Sequence, residues 1–188
     1  VLGEGAGFLV LEDWNAARNR GARIYAELAG DGNSLSSYRI TDSHPSGDGA
    51  IQAMQQSLAD AGLTPECVDY VNAHGTSTLM NDRSECAALR AVMSGEIERI
   101  SVSSTKSCMG HMIAAAGAVE AAVCALAIRD GIAPLSANLI QPDPDCNVNI
   151  VHGKSRKMGI RAALSNSFGF GGSNSSLAFR HPEEVPTP

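Results

Sequence analysis

Three short apolar runs, each followed at once by a polar or glycine-rich loop, restrict the fold of this chain more than any other feature. Val68–Val71 leads into NAHGTST, Ile100–Ser103 leads into STKSCMGH, and Arg161–Ser167 leads into FGFGG. Runs of this length that are rich in β-branched and aromatic residues are typical of buried strands. In an open α/β sheet, ligands bind outside the carboxyl ends of the strands. We therefore expect the three loops to meet at one edge of a sheet.

Helical patterns surround these runs. Helices are predicted at Trp14–Arg20, with Asp13 as its N-cap, and at Gly49–Ala61, Asn81–Met93 and Met112–Arg129. Further strands are predicted at Gly7–Leu11, at Ala22–Ala29, and at Ser176–Arg180, antiparallel to Arg161–Ser167 across the glycine turn. Residues 31–48 are predicted to form a polar loop. This alternation of strands and helices indicates the α/β class.

Composition and charge exclude several classes of function. A chain of 188 residues can bury the core of one domain, and its net charge of −6 argues against general nucleic-acid binding. The five cysteines include no CxxC pair, which disfavours a zinc site or disulfide scaffold and favours a reducing, cytoplasmic compartment. We see no membrane-spanning run and no signal peptide. Because the chain begins without methionine in a segment that we interpret as ordered, we expect it to be part of a longer protein.

The candidate chemistry lies in the three loops. His74 follows the first run, Lys106 and His111 follow the second, and the third ends in a glycine-rich turn with exposed backbone N–H groups. Such groups can stabilise a developing enolate or oxyanion. Glu120 lies in an alanine-rich helix, where a buried carboxylate needs a partner, and Lys106 is the obvious one. The alternative interpretation of this pair is a purely structural ion pair.

The motifs NAHGTST, SSTKSCMGH and NSFGFGGSN, in this order and together with an initial VLGEGAG, resemble the condensing enzymes of fatty-acid and polyketide synthesis. The match is to β-ketoacyl-[acyl-carrier-protein] synthases of the type II elongating kind, and it extends from Val1 to about Arg180. The resemblance implies a thiolase-like fold with α-β-α-β-α layers. Residues 1–30 would be the last strands of its N-terminal half, 31–180 the C-terminal half and 181–188 a polar tail.

The resemblance also implies the reaction, a decarboxylative Claisen condensation of an acyl thioester with malonyl-[acyl-carrier-protein]. His74 and His111 would be the histidines of a Cys-His-His site, and Lys106, tied to Glu120, would tune the field around His111. The nucleophilic cysteine is expected in the N-terminal half of the fold. Cys108, which lies between Lys106 and His111, is the alternative nucleophile in this chain.

The same resemblance assigns binding residues. Thr76 and Thr78 would hydrogen-bond the phosphopantetheine arm of the carrier protein, with Phe168 also in contact with substrate. Phe170 would gate the acyl pocket and, with Gly171, form part of the oxyanion hole. No cofactor is expected, because the substrates are carried on phosphopantetheine. A monovalent cation is suggested by relatives near four positions: Asn72, Glu85, Glu120 and Asn166.

The expected partners are an acyl carrier protein, the chain's own N-terminal half, and a second subunit in a homodimer or a ketosynthase–chain-length-factor heterodimer. Without the N-terminal half, the chain is expected to be inactive and to expose apolar surface. Two alternative functions are a non-catalytic chain-length-factor-like subunit, which would be expected to lose the histidines, and a modular polyketide ketosynthase domain. A thiolase would need a second cysteine in the last loop, and a starter-unit or chalcone-type enzyme would carry asparagine where His111 stands.

Overall fold

Strands and helices alternate through residues 1–184, the part of the chain that the computed structural model describes. The helices are α1 (Trp14–Asn19), α2 (Asp48–Asp60), α3 (Leu79–Met93), α4 (Lys106–Met109) and α5 (Ala116–Asp130). The strands are β1 (Glu27–Leu35), β2 (Tyr70–Asn72), β3 (Ser101–Ser103), β4 (Ile132–Ala133), β5 (Arg156–Lys157), β6 (Ala162–Phe168) and β7 (Ser173–Arg180). The predicted tail at 181–188 lies partly outside the described residues.

The main sheet has the strand order β1-β7-β6-β2-β3. Strand β2 is parallel to both β3 and β6, so the carboxyl ends of these three strands lie at the same edge, as predicted. Strand β7 returns antiparallel to β6, with Phe168 opposite Asn174 at the turn, which confirms the predicted glycine-turn pair. The sheet is therefore mixed, with its parallel part at the end where the three candidate loops emerge.

Helices cover both faces of this sheet. Side chains of a strand alternate between the two faces, so the neighbours Val71 and Tyr70 point in opposite directions. Val71 packs in one apolar cluster with Met54 of α2 and Leu89 of α3. Tyr70 packs in a second cluster with Cys124 of α5. Within the described part of the chain, no helix has both the length and the apolar character needed to cross a bilayer.

Two strand predictions need correction. Gly7–Leu11 is not a strand, because no strand among the described residues pairs with it, and Phe8 and Val10 are more than nine-tenths exposed. Strand β1 lies further along the chain than the predicted Ala22–Ala29 and includes the start of the predicted loop 31–48. A Cβ atom on Gly32 would overlap the backbone of α2, so this glycine allows α2 to pack directly on β1.

The predicted helix Met112–Arg129 begins later than expected. A three-residue helical turn, Ile113–Ala115, precedes α5, and Ile113 has a positive φ of 52°. The backbone N–H of Ile113 donates to Nδ1 of His111 at 3.1 Å. The chain thus departs from α-helical geometry where it holds the histidine ring.

A buried carboxylate joins the segments at the opposite end of the sheet. Asp69 accepts hydrogen bonds from Nη1 of Arg99 at 2.7 Å and from the backbone N of Arg161 at 2.8 Å. Burial raises the pKa of Asp69, but the hydrogen bonds from Arg161 and the charges of both arginines outweigh it, so the pKa of Asp69 is lowered. Asp69 is therefore ionised in the folded protein at neutral pH.

We expect Asp69→Asn to lower the free energy of unfolding at pH 7 by about 1–3 kcal/mol, since hydrogen bonds to a charged group are lost. The folded-state pKa of Asp69 lies below the unfolded value of about 3.9, so its stabilisation is present above that pH and is lost as the pH falls through the folded pKa. Urea unfolding of both proteins at pH 7 and in acid measures this. Asp130→Asn, at an exposed aspartate, is the matched control. Equal acid sensitivity of the parent protein and Asp69→Asn would contradict the assignment.

Candidate active site

The two predicted histidines meet at the carboxyl edge of the sheet. The ring centroids of His74 and His111 are 5.5 Å apart, with the rings nearly perpendicular at 85°. Phe168, at the end of β6, lies with its ring centroid 5.4 Å from that of His74. One residue from each of the three loops therefore contributes to a single cluster, as the parallel arrangement of β2, β3 and β6 requires.

The turn that carries His74 is held by a buried carboxylate of α3. The Glu85 carboxylate accepts the backbone N–H of His74 on Oε1 and that of Gly75 on Oε2, both at 2.9 Å. Nδ2 of Asn166 donates to Oε1 of Glu85 at 3.1 Å. Sequence reasoning suggested Glu85 only as a cation ligand and missed this contact. The sequence feature that could have indicated this contact is an acidic residue that follows a glycine turn, because the backbone N–H groups of such a turn need hydrogen-bond acceptors.

Both histidines are held in the neutral form. Burial, followed by the charge of Lys106 and then by His111, lowers the pKa of His74 to about 3. Burial and the charge of Lys106 also lower the pKa of His111. A neutral imidazole has one N–H donor, and the Ile113 N–H occupies Nδ1 of His111 as its acceptor. The proton of neutral His111 is therefore on Nε2.

The expected ion pair between Lys106 and Glu120 is present. Nζ of Lys106 donates to Oε1 of Glu120 at 2.5 Å, and the side chains are only 5 % and 2 % exposed. Burial raises the pKa of Glu120, and Lys106 offsets part of this effect. Lys106, the first residue of α4, is thus bonded to α5, and its charge acts on both imidazoles.

The residues suggested for a monovalent cation fit one only in part. Oδ1 of Asn72 and Oε2 of Glu120 are buried and have no hydrogen-bond partner among the described residues. Glu85 already accepts from two backbone N–H groups, and Oδ1 of Asn166 accepts from Ser176 Oγ at 2.9 Å. Hydrogen bonds therefore use part of the acceptor capacity of Glu85 and Asn166, whereas Asn72 and Glu120 each have one buried oxygen without a partner among the described residues. The cation remains a prediction.

An open cleft of about 930 Å³ leads to this cluster. Lys106 and His111 line it, together with Thr76 and Thr78, whose hydroxyl oxygens are 2.9 Å apart. The volume is in the range of small-molecule sites, and its hydroxyl-lined wall can hydrogen-bond an extended polar ligand. The predicted binding threonines and the predicted histidine His111 thus share one cavity.

The glycine-rich turn is arranged differently from what the sequence suggested. The Phe170 side chain is 80 % exposed, and it is Phe168 that contacts His74. The backbone N–H of Gly171 donates to the carbonyl oxygen of Ile40 at 2.7 Å, so this N–H already has a hydrogen-bond acceptor. In this arrangement Phe170 lies at the protein surface. The gating and oxyanion roles of Phe170 and Gly171 stay predictions.

Comparison with known proteins gives one consistent family. Residues 25–140 match the family described as β-ketoacyl synthase, C-terminal domain. The chain is 51 % identical over 180 residues to 3-oxoacyl-[acyl-carrier-protein] synthase 2 of Rhizobium meliloti strain 1021, an alignment that covers 96 % of this chain and 42 % of that protein. The chain thus spans about two-fifths of that relative's length.

Solved ketosynthase structures show the same fold. The ishigamide ketosynthase/chain length factor aligns with a TM-score of 0.90 and 38 % identity, covering 96 % of this chain and 44 % of that one. A type II polyketide synthase acyl carrier protein in complex with its ketosynthase gives a TM-score of 0.87 and 36 % identity, covering 90 % and 41 %. The thiolase-like fold predicted from the three motifs is confirmed.

Proposed function

This chain belongs to the β-ketoacyl synthase family, and from that premise we propose that it supplies the decarboxylating site of an elongating condensing enzyme. The intact protein would join an acyl thioester to a malonyl unit on an acyl carrier protein, in fatty-acid or polyketide elongation. One observation carries the proposal. The imidazoles of His74 and His111, both neutral, have ring centroids 5.5 Å apart, and His111 lines a substrate-sized cleft together with Lys106 of the buried Lys106–Glu120 pair.

The first chemical step is loss of carbon dioxide from the malonyl group. When the bond to the carboxylate carbon breaks, its electron pair moves into an enolate whose oxygen becomes negative. A hydrogen bond from Nε2–H of His111, and one from the His74 imidazole, would strengthen as this charge develops. The enolate carbon then attacks the acyl carbonyl carbon, and the cysteine thiolate that carried the acyl group leaves.

Lys106 would help to keep both imidazoles in the protonation state that this step needs. Burial lowers the pKa of both imidazoles most, and the positive charge of Lys106 lowers it further, so the imidazoles stay neutral and present hydrogen-bond donors. Its pairing with Glu120 allows that charge to remain buried. Lys106 is thus a positioning and field-setting residue in the proposed mechanism.

The acyl-carrying cysteine of the Cys-His-His set is proposed to lie outside this chain. Cys108 is exposed in the cleft, but its Sγ contacts the carbonyl oxygen of Leu135 at 3.9 Å and Oγ of Ser107 at 3.8 Å. The cysteines at 86, 124 and 146 are buried. Neither contact of Cys108 directs its sulfur at the two imidazoles, so this thiol is a poor candidate for the nucleophile.

The proposed partners follow from the same cleft and from two of the solved structures. A phosphopantetheine arm would enter past the hydroxyls of Thr76 and Thr78, and one similar ketosynthase was solved in complex with its acyl carrier protein. A second subunit, either another copy or a chain-length factor, is proposed because another similar structure is a ketosynthase/chain length factor. Sedimentation of the intact protein as a monomer at micromolar concentration would contradict the second proposal.

The direct test of function is to mix the intact protein with an acyl-carrier-protein thioester and malonyl-[acyl-carrier-protein]. We expect release of carbon dioxide and formation of the 3-oxoacyl thioester. Mass spectrometry of the carrier protein detects this thioester. A non-catalytic subunit would give neither product, and that result would favour the chain-length-factor alternative. The retention of both histidines is what favours the enzyme.

We expect His74 to remain neutral from pH 8 down to pH 5, because its pKa is lowered to about 3. Imidazole carbon and nitrogen chemical shifts of His74 should stay constant over this range, whereas in urea the same ring should titrate near the unfolded value of about 6.5. Since the folded pKa is the lower one, the stability that neutral His74 confers is present above about pH 6.5 and falls as the pH drops toward 3. A folded-state titration between pH 5 and 8 would disprove this.

A further inference from the structure

A serine hydroxyl joins the two loops that carry the histidines. Ser104 lies in the loop after β3, between that strand and Lys106. Its Oγ donates to the carbonyl oxygen of Gly75, the residue that follows His74, at 2.8 Å. The hydroxyl therefore bonds the loop after β3 to the turn after β2, and it takes no part in the proposed chemical steps.

The approach of the two loops depends on the glycine. Gly75 has a positive φ of 38°, in the left-handed region that favours glycine. A Cβ atom at this position would lie 2.5 Å from Cβ of Ser104 and 2.9 Å from its Oγ. The absence of a side chain at residue 75 thus allows Ser104 to reach the backbone of the His74 turn directly.

The peptide groups of this turn are held from two sides. On one side, the carboxylate of Glu85 accepts the backbone N–H groups of His74 and Gly75, both at 2.9 Å. On the other side, Ser104 donates to the Gly75 carbonyl oxygen. Glu85 belongs to α3, whereas Ser104 belongs to the loop that leads to His111. Ser104 is therefore the contact that relates one histidine loop to the other.

Ser104 is itself fixed through its own backbone. Its N–H donates to Oγ of Ser136 at 3.0 Å, and its carbonyl oxygen accepts from Oγ of Ser107 at 2.7 Å. Oγ of Ser107 in turn accepts from the backbone N of Ala137 at 2.7 Å. Both backbone groups of Ser104 are thus bonded within the protein, and its side chain is held in position to donate to Gly75.

We propose that Ser104 is a positioning residue for decarboxylation, an inference that rests on the proposed function. Its hydroxyl holds the His74 turn against the loop of Lys106 and His111. The two imidazoles, with ring centroids 5.5 Å apart, then donate to the same developing enolate oxygen. Without the hydroxyl, the Gly75 carbonyl loses this donor and the turn can move away from that loop. Displacement of a catalytic group by about 1 Å can cost about 10²-fold in rate.

The test is release of carbon dioxide from malonyl-[acyl-carrier-protein] by the intact Ser104→Ala protein. We expect kcat to fall by about 10–100-fold with KM unchanged, because the contact acts on the placement of the imidazoles during the chemical step. Ser104→Cys keeps a side chain with a weak S–H donor, so its kcat should lie between those of the unaltered protein and the alanine variant.

Hydrogen exchange gives a second readout that needs no condensing activity. In Ser104→Ala, the peptide that contains His74 and Gly75 should exchange its backbone amide hydrogens faster, as measured by mass spectrometry. If the unaltered protein released no carbon dioxide, the proposed function would fail, and the exchange rates would still show whether Ser104 holds the turn. Unchanged exchange in a decarboxylating protein overturns the positioning role alone.

Ser84→Ala is the matched control. Oγ of Ser84 also donates to a backbone carbonyl oxygen, that of His44, at 2.7 Å, and Ser84 is buried on α3 outside the cleft lining. This variant should lose stability in urea but keep kcat and the exchange of the His74 turn. An equal loss of kcat in Ser84→Ala and Ser104→Ala would reduce the effect of Ser104 to general stability. A raised KM with unchanged kcat in Ser104→Ala would make it a binding residue, and either result refutes the proposal.

Discussion

Alanine in place of His74 or His111 should slow carbon dioxide release from the malonyl thioester by roughly 10²–10³-fold, the typical cost of removing one preorganised donor to a developing oxyanion. Each substitution removes one of the two imidazoles, whose ring centroids are 5.5 Å apart. The measurement is release of labelled carbon dioxide from malonyl-[acyl-carrier-protein] by the intact protein. Acyl loading should be affected far less than decarboxylation, because loading creates no enolate.

The matched control for this experiment is His152→Ala, at an exposed histidine that does not line the cleft. His74 is buried, so His74→Ala also needs a urea unfolding curve to separate lost chemistry from lost folding. His111→Ala carries less of this ambiguity, since that side chain is only partly buried. If either alanine variant kept decarboxylation close to the rate of the unaltered protein, the role of that histidine would be refuted.

The position of the site was predictable because it depends on strand order and direction alone. Val68–Val71 and Ile100–Ser103 have the composition of buried strands, and parallel strands deliver their following loops to one edge. Once those strands are parallel, His74 and His111 must lie at the same end of the sheet. The Lys106–Glu120 pair was predictable for a different reason, since a carboxylate in an apolar helix requires a cation.

Contacts that depend on register or on the return path of a helix were not predictable. Phe168 and Phe170 are separated by one glycine, and only the pairing of β6 with β7 decides that Phe168 contacts His74 while Phe170 is exposed. Glu85 accepts the backbone N–H of His74 only because helix α3, which carries Glu85, packs against the turn that contains His74. Gly7–Leu11 has the pattern of a strand, but a strand forms only where a neighbour supplies hydrogen bonds, and no such neighbour occurs in residues 1–184.

Removal of one partner of the buried ion pair should have the largest effect on stability. We expect Lys106→Met to lower the free energy of unfolding by about 3–5 kcal/mol, because the Glu120 carboxylate is left uncompensated in an apolar environment. Glu120 is 2 % exposed, and its pKa is already raised by burial, so loss of Lys106 should raise that pKa further. Urea unfolding monitored by circular dichroism gives the difference directly.

The double variant Lys106→Met/Glu120→Met tests whether Lys106 and Glu120 stabilise the protein as a coupled ion pair or independently of each other. Because both charges are then gone, its stability should return toward that of the unaltered protein, while decarboxylation stays low since the field on the imidazoles is lost. Arg129→Met, which breaks an exposed ion pair with Asp130 on the same helix α5, should change stability little. Additive losses in the double variant would show that Lys106 and Glu120 are not coupled, and recovered decarboxylation would remove Lys106 from the proposed mechanism.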